Sequence, residues 1–130
     1  MTTRYLDIKG KWGVVVCYNL QRKDARKMRA LMESVGMPDN EIDRALRLLL
    51  YHENNGMCIS NNALRMSLVF VGEATSEEQW WDTMAHEVLD HVKYAICMYY
   101  GVKFGGEDSA WLTGYLMRLI VQQIAPPCQS

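Results

Sequence analysis

The chain has 130 residues, with Lys+Arg 14 against Asp+Glu 15 for a formal net charge of -1, and 49% hydrophobic against 22% charged residues. That length and apolar share suffice for the core of one soluble domain, and the charge balance argues against a nucleic-acid binder, which needs many Lys and Arg facing one polyanion. No apolar run approaches the ~18 to 20 residues of a membrane span, and Met1-Thr2-Thr3-Arg4-Tyr5 lacks the apolar block of a signal peptide, so a cytoplasmic chain with no membrane partner is expected.

Residues 5–8 and 12–18 are apolar and β-branched and are broken by Lys9-Gly10-Lys11, the pattern of two strands with a turn. Val14-Val15-Val16 shows no alternation, which predicts a strand covered on both faces. A helix is expected over about 23–34, with Ala25, Met28, Leu31, Met32 and Val35 on one stripe and the basic Arg22, Lys23, Arg26, Lys27 and Arg29 elsewhere, a solvated face. Gly36 ends it, and Pro38-Asp39-Asn40 opens a second helix carrying Ile42, Ala45, Leu46, Leu49 and Leu50. His52-Glu53-Asn54-Asn55-Gly56 reads as a turn with His52 in solvent, followed by extended pieces at 57–60 and 64–71.

Thr75 or Ser76 can cap a helix whose first turn holds Glu77 and Glu78, the favoured charge at that end, and which runs to Gly101. After the loop through Lys103-Phe104-Gly105-Gly106, a last helix is expected from Glu107 to Ile124, stopped by Pro126-Pro127, with 126–130 a loose tail beyond a single domain at 1–125. The order of elements predicts an α+β fold, a small mixed or antiparallel sheet packed against helices. Cys17, Cys58, Cys97 and Cys128 form no C-x-x-C pair and sit in or beside apolar segments, as free thiols packing like small hydrophobes do.

The chemistry concentrates in Trp80-Trp81-Asp82-Thr83-Met84-Ala85-His86-Glu87-Val88-Leu89-Asp90-His91-Val92. At about 100° per residue, and with His86 at zero, Cys97 falls near 20°, Asp90 near 40°, Tyr94 near 80°, Glu87 near 100° and His91 near 140°. Met84, Val88, Leu89, Val92, Ala95, Ile96 and Tyr99 fill an apolar arc from about 160° to 300°. One side of this helix therefore gathers two histidines and two carboxylates, a set suited to a zinc ion with a carboxylate as general base.

In the pattern H-E-x-x-H the two histidines share a helix face at i and i+4 and the glutamate handles the proton. Here Asp90 holds the i+4 position and His91 comes one residue late. Either Asp90 is itself the second ligand, or a π-bulge absorbs the extra residue and brings His91 beside His86. Histidine is the more usual partner, which favours His91. Glu107, at the head of the last helix, is the candidate third ligand.

The stretches Ala74-Thr75-Ser76-Glu77-Glu78-Gln79, Thr83-Met84-Ala85-His86-Glu87, Tyr99-Tyr100-Gly101 and Glu107 through Gly114 resemble those of small single-domain zincin-like metallopeptidases common in bacteriophage and mobile-element genomes, with Trp111 where that family usually has tyrosine. The resemblance covers about half of the chain. It implies zinc on His86, on the second histidine position and on Glu107, with Glu87 as base, a peptide or protein substrate, and a host-cytoplasm location for a phage-encoded protein. By the same analogy the strand at 66–71 would lie beside the active helix and offer its edge to an extended peptide. A catalytically inert zincin-like module, a phage component or an inhibitor of a host protein, is the alternative that the broken spacing suggests. Tyr94 and Tyr115 are candidate oxyanion donors, with packing as their simpler role.

Overall fold

A computed structural model describes residues 1–51 and 53–124. His52, Cys128 and the tail at 126–130 therefore lie outside the described residues. The strands are β1 (Thr2–Ile8), β2 (Trp12–Tyr18), β3 (Gly56–Asn61) and β4 (Met66–Val71). The helices are α1 (Ala25–Ser34), α2 (Asp39–Leu50), α3 (Glu77–Met84), α4 (Lys93–Tyr100) and α5 (Glu107–Gln123). A π-helical segment, Ala85–Val92, joins α3 to α4 with helical backbone at both junctions, so 77–100 is one continuous rod. No helix among the described residues is long and apolar enough to cross a membrane.

The expected α+β architecture is present. Lys9 (φ 54) and Gly10 (φ 70) turn β1 back onto β2, and the Asp7 carboxylate accepts the Gly10 N–H at 3.2 Å. Strand order is β1-β2-β4-β3, antiparallel at both ends and parallel between β2 and β4. A parallel pair needs a long crossover, and α1 and α2 lie within it. β4 is thereby paired on both sides, with Val14 opposite Ser67 and Ile59 opposite Leu68. This corrects the expectation that its edge is free: the outer strand on that side is β3.

Alternation along the strands splits the core into two layers. Trp12, Val14, Val16, Val69 and Val71 face Trp80, Met84, Val88, Val92 and Ile96 of the rod and Leu116 and Ile120 of α5. On the opposite face Cys17, Leu68 and Phe70 meet Met28 and Met32 of α1 and Ile42, Ala45 and Leu49 of α2. The triple valine of β2 is thus covered on both sides, apart from the half-buried Val15.

Ser76 caps the rod by accepting the Gln79 N–H at 3.1 Å, while Gln79 Oε1 accepts the Thr75 N–H at 2.7 Å. Trp80 is fully buried, packed edge-on against Tyr18 with ring centroids 5.7 Å apart. The basic side chains near α1 find local partners. Arg29 pairs with Asp43, and Arg22 lies 4.4 Å over the Tyr51 ring.

Asp24 is buried and accepts hydrogen bonds from the Met1 ammonium at 3.1 Å and the Gln21 N–H at 3.0 Å. Burial alone would push its carboxyl up, but these hydrogen bonds and the ammonium charge outweigh burial and hold it below the usual aspartate range. A carboxyl depressed on folding contributes stability above its unfolded value and loses that contribution as pH falls through its folded value. Asp24→Asn is therefore expected to flatten the acid side of a plot of urea midpoint against pH, from the ordinary aspartate range downward.

Candidate metal centre

Met84, Val88, Val92 and Ile96 recur every fourth residue and are all buried against the sheet, while His86 and His91 stand five apart on the solvent side. A regular α-helix would leave the two imidazoles about 140° apart. The wider turns of Ala85–Val92 remove that divergence. At the end of the segment the Lys93 N–H reaches back to the Val88 carbonyl, the five-residue bond that defines a π-helix. The extra residue is thus spread over two turns rather than confined to a single bulge.

This segment takes about one residue of rotation, ~100°, out of the rod, and two expected directions change with it. Cys97, placed on the polar side by the uniform-helix count, is fully buried, and Tyr99, placed in the apolar arc, is 45% exposed. Both errors have the same sign, as a single rotation beyond the histidines requires.

His86 Nε2 and His91 Nε2 stand 3.1 Å apart, with ring planes 87° to one another. Two nitrogens bound to one tetrahedral zinc at about 2.0 to 2.1 Å would be roughly 3.3 Å apart, so the pair has the separation that a shared ion requires. Without an ion, one ring donates its Nε2–H to the other, with the tautomers deciding which. Ligand atoms of His86, Glu87 and His91 all lie within 4.8 Å of one another, forming a group that could hold a metal ion. A nitrogen, nitrogen and carboxylate donor set suits zinc and several other divalent metals alike.

Asp90 is not in that group. Its Oδ2 is 3.6 Å from His86 Nδ1, with both side chains well exposed, which places it behind the ring and not beside the ligand nitrogen. A carboxylate on that side orients an imidazole and fixes its tautomer.

Glu87 points inward and is only 6% exposed. Burial pushes its carboxyl above the usual glutamate range, and the charges of His91 and His86 pull the other way. Gly56, at the start of β3, makes room for it: a Cβ there would stand 2.6 Å from Thr83 Cγ2 and 3.2 Å from Glu87 Cγ. Cys58, two residues along the same strand, is a thiol that burial pushes up to about 12, with the Ser60 hydroxyl pulling it down and the Glu87 charge adding to the rise. Sequence patterns mark Gly56 only as a turn residue, so its part in seating Glu87 was not legible.

The cleft beside the group has a volume of about 540 Å³ and is lined by Asn55, Gly56, Asp82, Thr83, His86 and Glu87 among others. Asp82 is four residues before His86, a spacing that places both on one helix face, so that signal was present in the sequence and overlooked. Glu107 is not brought into this group. It is exposed on the first turn of α5 and lines a separate depression with Lys9, Trp111, Tyr115 and Arg118. Tyr94 packs against Phe104, ring centroids 5.7 Å apart, and Tyr115 lies under Lys9 and Arg118, each 5.1 Å from its ring. Comparison of the chain with protein-family models, with curated proteins and with solved structures gives no match.

Proposed function

We propose that the protein is a zinc-dependent hydrolase, a metallopeptidase of the zincin kind, with His86 and His91 as ligands and Glu87 as general base. The observation that carries this reading is the 3.1 Å approach of the two Nε2 atoms, at the site of an eight-residue π-helical segment. Zinc, when bound, acidifies a water and polarises a carbonyl. Glu87, seated between the ion site and β3, would take a proton from the attacking water and pass it to the leaving amine. Asp90 would hold the His86 ring in the tautomer that leaves Nε2 free to bind. The outer strand β3 begins at Gly56, beside the cleft, where an extended peptide could pair with it.

Zinc stoichiometry after refolding with metal tests the first step: about one equivalent is expected, and less than a tenth of an equivalent overturns it. The third ligand is tested separately by Glu107→Ala. Because Glu107 lies outside the cleft, zinc affinity measured by chelator competition should stay within about threefold of wild type. A loss of tenfold or more would place Glu107 in the metal's shell and its present position outside it.

A second reading draws on the same feature. With Glu107 outside the cleft, only Glu87 remains beside the histidines to complete three ligands, and a carboxylate that binds the metal is not free as a base. The protein would then be an inert metal-stabilised interaction module. Zinc uptake with no cleavage across a broad peptide library favours that reading.

A further inference from the structure

We infer that the cleft beside the histidines selects a ligand bearing an alkylammonium or guanidinium group, and that Asp82 is its specificity-determining residue; this rests on the zinc-hydrolase reading above. Three features of the cleft support it. Its wall is polar, built from Asn54, Asn55, Gln79 and Thr83 around Asp82, so it offers a large apolar side chain nothing to pack against. No lysine or arginine lines it, and among the described residues no hydrogen bond or ion pair reaches the exposed Asp82 carboxylate. An unneutralised carboxylate in a concave polar wall attracts a cation and disfavours an anion.

Position supplies the rest. Asp82 precedes His86 by four residues, so the carboxylate lies on the histidines' face about 6 Å further along the rod. A substrate carbonyl held at the histidines would therefore place the charged end of an adjoining residue near Asp82. Gln79 cannot compete for that role, because its Oε1 is occupied by the Thr75 N–H and hydroxyl. The cation can come from a lysine or arginine side chain or from the amino terminus of a peptide, and the same carboxylate would read either.

Calorimetry on the zinc-loaded protein separates these cases without relying on turnover. Three hydroxamates serve as probes: Nα-acetyl-lysine hydroxamate carries a side-chain cation, norleucine hydroxamate with a free α-amine carries a terminal one, and Nα-acetyl-norleucine hydroxamate carries none. At least one cationic probe is expected to bind about fivefold or more tighter than the neutral one, the upper range of an exposed ion pair. That advantage should shrink at high salt and vanish in Asp82→Asn, whose exposed position leaves the fold and the neutral probe's affinity unchanged. The tighter cationic probe identifies the source. Equal binding of all three, or a preference that survives Asp82→Asn, overturns the inference while leaving zinc binding intact. If the protein takes up no zinc and binds no hydroxamate, the hydrolase reading fails and this inference falls with it.

Discussion

Zinc affinity should fall roughly 100-fold or more in His86→Ala, measured by competition with a chelator of known strength. Loss of a group that only orients a ligand costs 10- to 100-fold, and His86 would supply one of the two imidazole nitrogens that stand 3.1 Å apart. His91 alone cannot hold a divalent ion at comparable strength. The imidazole is 61% exposed, so the variant should fold, and its thermal midpoint without metal should stay close to that of wild type. Asp90→Ala provides the scale: acting through Nδ1 from 3.6 Å, it should cost no more than about tenfold. Equal zinc content in wild type and His86→Ala would reduce the paired rings to a surface hydrogen bond.

The second large effect divides the two possible roles of Glu87. Glu87→Gln should retain zinc and lose about 10²- to 10⁴-fold in peptide hydrolysis, the range for removing a general base. If Glu87 is instead a ligand, the same variant loses metal affinity, and hydrolysis was never its task. A third measurement needs no metal. Because burial holds the Glu87 carboxyl above its ordinary range, the folded chain favours the protonated form. That preference contributes fully below the unfolded value and disappears as pH rises through the raised folded one. Metal-free wild type should accordingly lose ground to Glu87→Gln over that window, with the neutral amide giving the higher urea midpoint above it.

Much of the fold was readable because periodicity is a local signal. The valine run of β2, the stripe of Ile42, Ala45 and Leu49, and the cap at Ser76 each depend on residues within a few positions of one another. Strand order does not. The central position of β4 follows from a parallel pairing across the whole α1–α2 crossover, and pattern within residues 66–71 looks the same for a central strand as for one buried against helices at an edge.

The site was legible to the same degree. His86, Glu87 and His91 could be named, and the conflict between apolar residues four apart and histidines five apart pointed to a widened helix. Its length could not be read, since a bulge of one turn and a segment of two satisfy the same pair. Hence Cys97 and Tyr99, downstream of the segment, were assigned to the wrong faces. Glu107 was placed by likeness to a motif, and no local pattern can say which depression a side chain at the head of a separate helix will line.

The π-helical segment also makes the extra residue hard to lose. A deletion of Leu89 would bring the two histidines to the four-apart spelling and let the rod close into an ordinary α-helix, which suits the metal site well. Everything beyond it would then turn by ~100°, swinging Ile96 and Cys97 off the sheet and driving the solvent-facing Tyr99 toward it. Only a second change before Gly101, adding a residue back within α4, would restore the packing. The site could drift to the simpler spelling in one step, but the core would have to be repaired in another, and the intermediate would be an unstable protein.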